Sequence, residues 1–308
     1  MKNKFFSCAV VFLLLCVVLS AGIFGYSRRI KRVDFSESFS PGLVPQEIEC
    51  QIPQEEIDSV FGQKRKVYKI IRPRAGAQAK KLLKALDMEE YTTEKNGDVL
   101  PGISYTAAEK ELCVHKDSTF LFRRRGRTSW EPMLVSPEAM AEDMLAYLKN
   151  LQIVPEDFYV SRTERRREGG VTTGVFMQFS REIDGFPVAL GSRVWVEQDA
   201  QGLRELDAIC FDYKEDGVLP TISLEEVCAL IKTPQADIYY KEEMVSAPEK
   251  VVLQSAHLLY YDISHLGGNY IFPCYKVKGE VYGETCSGKK VTEFQATVMA
   301  IPCSMTRG

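Results

Sequence analysis

The sequence predicts an α+β fold: repeated units of one helix packed on an antiparallel sheet, placed after an N-terminal transmembrane helix. Three observations carry this expectation. An uncharged apolar run, Phe5 to Tyr26, opens the chain. Three amphipathic helical patterns follow it, and each is succeeded by several closely spaced strand patterns. A helix with one apolar stripe must bury that stripe, and an antiparallel sheet with one apolar face is its natural partner. Strands that succeed one another without intervening helices argue against a doubly wound parallel sheet.

At about 1.5 Å per residue, a helix from Phe5 to Tyr26 is long enough to cross a hydrocarbon core of about 30 Å. Its length favours an uncleaved anchor. The competing reading is a cleaved signal peptide, for which Ser20 and Gly22 would supply the small residues. Cys16 follows Leu15, which excludes a lipoprotein cysteine at that position. Arg28, Arg29, Lys31 and Arg32 outnumber Lys2 and Lys4, and by the positive-inside rule they favour a cytoplasmic domain. The short basic segment ahead of the apolar run is that of an exported chain, and an extracytoplasmic location at the cell membrane is preferred. From Ser27 to about Gln54 the chain lacks periodicity and reads as a linker.

The first helix is expected from Ala75 to Met88, with Ala75, Ala79, Leu82 and Leu86 on one face. Strands are expected at Ile103 to Ala107, Glu111 to His115 and Ser118 to Arg124, with Lys116-Asp117 as a turn. The second helix opens at "SPEAMAEDMLAYLKNL", with Ser136 as N-cap and Pro137 at the first helical position. Ala141, Met144, Leu148 and Leu151 form its stripe, and strands follow at Phe158 to Arg162, Thr173 to Ile183, Arg193 to Glu197 and Leu203 to Tyr213. The third helix opens at "SLEEVCALI", where Ser223 and Glu226 have the spacing of a capping box. Pro234 ends it, and strands are expected at Val251 to Asp262, Tyr270 to Glu280 and Glu293 to Ile301.

Within the second unit, Asp184-Gly185 is a hairpin signal and Gln201-Gly202 a second turn. In "RVWVE", Val194 and Val196 face one way, and Arg193, Trp195 and Glu197 the other. "DGFPVALGSRVWVEQDAQGLREL" resembles the strand–turn–strand pattern of PepSY and FTP domains, and "SLEEVCALI" resembles the helix that follows it. "LLYYDISHLGGNYIFPCYKVKGEV" and "FQATVMAIP" resemble the closing strands of YycI-type regulatory proteins of Gram-positive bacteria, which are tethered by one N-terminal helix. The resemblance covers about Phe158 to Pro302, with a looser echo from Val67 to Leu151. It departs from the pattern at "ALGSR", after Pro187-Val188. It implies a cystatin-like helix-on-sheet fold, no catalysis, and control of a protein partner in or at the membrane, such as a two-component sensor kinase or a peptidase. The expected domains are residues 1–26 as short N-terminus and anchor, 27–54 as linker, 55–155 as an N-terminal α+β domain, and 156–308 as a C-terminal PepSY-like α+β domain.

Net charge is −3, so the whole chain offers no general affinity for nucleic acid. The three histidines, His115, His257 and His265, form no metal-binding motif, and no cofactor or metal site is expected. "GETCSGKK", Gly283 to Lys290, approaches a P-loop, but Lys290 replaces the Ser or Thr and the flanks are strands, so a hairpin loop is expected. No nucleophile elbow, C-x-x-C or Cys-His arrangement appears. Cys113, Cys210 and Cys228 read as small buried apolar residues, and a disulfide among Cys274, Cys286 and Cys303 is one option. The basic runs Phe122 to Arg127 and Arg162 to Gly170 read as a strand end and an exposed loop. Trp195, with Arg193 and Phe186, is the candidate partner contact. The expected function is a membrane-anchored, extracytoplasmic binding or regulatory protein and not an enzyme. The alternatives are an exported hydrolase with a site assembled only by the fold, and a wall- or lipid-binding module using the basic runs.

Overall fold

Pairing between strands far apart in sequence organises this chain. The computed structural model describes residues 43–95, 101–126, 131–233, 235–262 and 268–302. The apolar segment Phe5 to Tyr26 lies outside the described residues. In chain order the first elements are β1 (Glu47–Cys50), α1 (Gln54–Val60), β2 (Lys64–Ile71), α2 (Ala75–Ala85), β3 (Thr92–Lys95), β4 (Gly102–Ala107), β5 (Lys110–His115) and β6 (Phe120–Arg124). Next come α3 (Pro137–Asn150), β7 (Phe158–Glu168), β8 (Val171–Ile183), β9 (Phe186–Asp199), β10 (Gly202–Ile209) and β11 (Asp212–Pro220). The last are α4 (Leu224–Ile231), β12 (Ala236–Tyr240), β13 (Lys250–Asp262), β14 (Tyr270–Tyr282) and β15 (Val291–Met299).

The expected series of helix-on-sheet repeats behind a transmembrane helix is corrected. The described residues are mostly strand, with fifteen strands and four helices. The pairing is mixed, with parallel pairs between β1 and β13 and between β9 and β13. No described helix is long and apolar enough to cross a membrane. The helical stripes were legible, but the strands after each helix do not close into a sheet of their own. Strand edges carry unpaired N–H and C=O groups, and these join strands from different repeats.

The chain divides into two units. One contains residues 66–217 and 259–272, and the other contains 1–65, 218–258 and 273–308. In the two-segment unit, an eight-stranded antiparallel stretch runs β3-β4-β5-β6-β10-β9-β8-β7. The helices α2 and α3 share one core with its buried face. Leu82 and Leu83 from α2 and Ala141, Leu145 and Leu148 from α3 join Leu112, Phe122, Val175, Met177, Phe179, Val194, Val196 and Leu206 from the strands. The Ser136 hydroxyl accepts from the Ala139 amide, so the predicted cap is formed. A second cluster packs Tyr68, Ile70, Ile183, Val188, Phe211, Tyr260 and Ile271.

The hairpins follow their turn residues. Asp184 and Gly185 both have positive φ, 53° and 80°, which matches the right-handed twist of the flanking strands. At "ALGSR", β9 changes partner. Arg181 of β8 pairs with Val188 while Ser180 pairs with Arg193, so the residues between leave the β8 ladder. Ala189 and Leu190 pair instead with Tyr261 and Asp262 of β13. Leu190 adopts φ +68°, an unfavourable region for a residue with a Cβ.

In the three-segment unit, β12 pairs with β15 and β15 with β14, and α4 lies against β15 and β12. Its capping box is complete: the Ser223 hydroxyl accepts from the Glu226 amide, and the Glu226 carboxylate accepts from the Ser223 amide. Val227 and Ile231 are buried. Glu47–Cys50 is a strand inside the stretch read as linker. At Gly279 an added Cβ would lie 1.9 Å from the Val252 carbonyl oxygen, so only glycine permits this approach.

Leu190 is 47% exposed, so shortening it sacrifices little packing. Leu190→Gly is expected to raise stability by up to about 1 kcal/mol through relief of the left-handed backbone, read as a higher denaturant midpoint at unchanged slope.

Candidate interaction surface

Strand alternation makes the second face of the eight-stranded stretch. Val194, Val196, Met177, Phe179, Leu206, Ala208, Leu112 and Val114 point into the core. Their neighbours Trp195, Gln178, Asp207, Leu121 and Cys113 are half-buried on the opposite face. The register aligns these residues in one row across five strands: Cys113 with Leu121, Leu121 with Asp207, Asp207 with Trp195, and Trp195 with Gln178. Gln178 in turn faces Arg162 of β7.

Trp195 is the centre of this row. The Arg193 guanidinium lies 4.6 Å from its ring centroid, within cation–π range. The Phe176 ring meets it edge-on with centroids 6.1 Å apart. The indole Nε1 is shielded from water and has no hydrogen-bond acceptor among the described residues. A buried donor without an acceptor costs about 1–3 kcal/mol. Across the ladder, burial pushes the Asp207 carboxyl above the ordinary aspartate range, opposed by Arg193 and reinforced by Glu205, with His115 and Arg123 also lowering it.

Phe186, the third expected contact, lies elsewhere. It sits at the start of β9, beyond the change of partner, and packs against the second cluster with its ring 6.5 Å from that of Tyr260. Sequence reasoning missed Phe176 and Asp207, because alternation identifies faces but not which strands are neighbours.

The arginine runs are largely neutralised within the unit. Arg123 pairs with Glu205 at 3.1 Å, Arg124 with Asp199 at 2.7 Å and Arg125 with Glu111 at 3.0 Å. Arg162 pairs with Glu164, and Arg166 with Glu197, which also accepts from Arg204 at 2.8 Å. The run expected to be a loop is corrected: Arg162 to Glu168 belongs to β7, because an edge strand facing water tolerates charge, and only Gly169-Gly170 turns.

Two other features lie in the same unit. Cys113 and His115, two apart on β5, bring Sγ to 3.8 Å from Nε2 and 3.9 Å from Nδ1. Nearly equal distances place the ring beside the sulfur, without one nitrogen aimed at it as a base. A groove of about 360 Å³ beside α3 is lined by Val135, Ser136, Ala139, Met140, Asp143, Met144, Tyr147 and Gln198. It contains one ionisable side chain that could serve as an acid or base at ordinary pH, Asp143, and no partner for it. No group of three or more His, Cys, Asp or Glu among the described residues could hold a metal. Gly283 to Lys290 connects β14 to β15 as a hairpin loop, with Gly288 at φ +78° and Cys286 exposed. Among the described residues Cys274, which is buried, and Cys286 are free thiols, and Cys303 lies outside the described residues. Burial pushes the Cys274 thiol up to about 12.

No protein-family model matches the chain, and no curated protein matches it. Among solved structures it is similar to the Bacillus megaterium YpeB C-terminal domain, at 11% identity and a TM-score of 0.39, over 73% of this chain and 99% of that one. It is also similar to YycH from Bacillus subtilis, at 10% identity and a TM-score of 0.35, over 67% of this chain and 52% of that one. At these values neither likeness assigns a family or a site. The YycI-type membership that the sequence suggests finds no matching family model.

Asp199 has a fully buried side chain and Arg124 is its 15% exposed partner, whereas Arg123 and Glu205 are 55% and 38% exposed. Arg124→Ala should therefore cost about 3–5 kcal/mol by stranding a buried carboxylate, and Arg123→Ala less than about 1 kcal/mol, both measured by denaturant unfolding. Asp207 titrates higher when folded, so its contribution to stability is full below the ordinary aspartate value of 3.8 and is lost as pH rises through the raised value. Asp207→Asn should raise the melting temperature at pH 7, with the gain shrinking toward pH 4.

Proposed function

We propose that this chain is a membrane-anchored, extracytoplasmic binding or regulatory protein that holds a partner protein on the outer face of its eight-stranded stretch. Trp195 carries this reading. Its large ring sits at the centre of a half-buried face with Arg193 stacked on it. Trp and Arg dominate the energetics of protein interfaces, and an arginine stacked on a half-buried tryptophan at the centre of a sheet face is an anchor of that kind. The anchor is Phe5 to Tyr26, and a sensor kinase or a peptidase is the partner class that the sequence resemblance implies. The internal pairing of Arg123, Arg124, Arg125 and Arg166 with carboxylates supports a protein partner over an anionic wall or lipid surface.

The test is capture of a defined partner by the full chain from membranes after photo-crosslinking at position 178, beside Trp195. Trp195→Ala should reduce capture at least about 30-fold, the loss of a hot spot worth 2 kcal/mol or more, with unfolding still cooperative. Capture that is equal in both proteins would overturn the reading.

A further inference from the structure

The outer face ends at β7, and among the described residues β7, a strand of eleven residues, pairs only with β8. Among the described residues, no backbone hydrogen bond outside the β8 ladder reaches Tyr159 to Glu168. Tyr159, Ser161, Arg162, Glu164, Arg165, Arg167 and Glu168 are exposed. The opposite edge, β3, has only four residues. A long edge with open N–H and C=O groups matches another extended backbone and nothing else.

The side chains on this edge select the sign of what pairs there. "FYVSRTERRRE" holds four arginines and two glutamates, in a chain whose net charge is −3. Arg162 is engaged by Glu164 and Arg166 by Glu197. Among the described residues Arg165 and Arg167 form no ion pair, and Arg165 lies near the Glu138 carboxylate at the start of α3. The register shift between Arg166 and Arg167 places Arg167, opposite Thr172, on the same face as Arg166, opposite Gly174, whereas Arg165 lies opposite the core residue Val175 on the other face. Charges and bulges of this kind keep an edge from pairing with arbitrary strands. Here they leave it selective, because the excess charge is positive.

We infer that β7 receives an extended, acidic segment of the partner as an added strand. This rests on the partner reading above and names how the partner is held. The Arg162–Gln178–Trp195 row runs from the edge to the centre of the face, so an added strand would extend that face past Arg162 and Glu164. Its acidic side chains would meet Arg165 on the helix-covered face or Arg167 on the outer face, according to its register.

The probe is a ten-residue synthetic peptide alternating valine and glutamate, with a valine–lysine peptide of equal length as counterpart. Both are titrated against the full chain in detergent micelles, with amide hydrogen exchange read along β7. The valine–glutamate peptide should slow exchange in β7 at least about tenfold, and raising salt from about 50 to about 500 mM should weaken it. The valine–lysine peptide should bind at least about tenfold more weakly, and Arg165→Glu/Arg167→Glu should reverse that preference. Both positions are exposed, and an unchanged melting curve verifies folding. Unchanged exchange in β7, protection confined to β3, equal binding of the two peptides, or protection that grows with protein concentration without peptide would each overturn the inference. Capture of a membrane partner without β7 protection overturns the edge and leaves the Trp195 face standing. Peptide binding at β7 with no membrane partner captured overturns the partner reading and leaves the edge chemistry supported.

Discussion

The antiparallel pairing of β6 with β10 is the interaction on which the two-segment unit depends. Phe120 to Arg123 meet Ala208 to Glu205, residues more than eighty positions apart in sequence. This ladder joins the strands that follow α2 to those that follow α3. Without it each helix would cover a small sheet with an open edge. With it, Leu82 and Leu148 share one core, and the opposite face becomes a continuous surface. The row from Cys113 to Gln178 exists only because that ladder is in its particular register. A slip of one residue would turn Leu206 and Ala208 outward and bury Asp207.

The same ladder sets the electrostatics. Arg123 lies opposite Glu205 on β10 and Glu111 on β5, and its guanidinium reaches Glu205. One position along, Arg124 reaches the buried Asp199 at the end of β9. Runs that look strongly basic in the sequence are therefore mostly paired in the fold. Of the described arginines in the two runs, those outside an ion pair, Arg165 and Arg167, lie on β7, the edge strand. The face around Trp195 is left aromatic at its centre, with charges pairing around it.

Much of the local structure was legible. The Ser136 and Ser223 caps, the Asp184-Gly185 turn and the alternation around Trp195 all depend on neighbours within a few residues. Other elements were not. The charged first half of β2, "KRKV", and the charged β7 resemble solvated loops, since their strand character comes from partners elsewhere in the chain. β1 is defined by parallel pairing with Lys250 to Leu253, which no short-range signal announces. At the candidate surface, Trp195 and Arg193 were identifiable as outward-facing. Phe186 was grouped with them because it precedes them on one strand, and the change of partner at Ala189-Leu190 separates it.

By itself, the sequence determined which residues form helical stripes, which cap them, which turns close hairpins and which side of a strand is apolar. It also placed an uncharged apolar run of membrane-spanning length at Phe5 to Tyr26. Only the tertiary structure decided which strands are neighbours, and so which residues share a row with Trp195 and which edge stays open. The physical reason is that every strand offers the same backbone donors and acceptors. The choice among partners is made by side-chain packing over a whole face, and that information is spread along the chain.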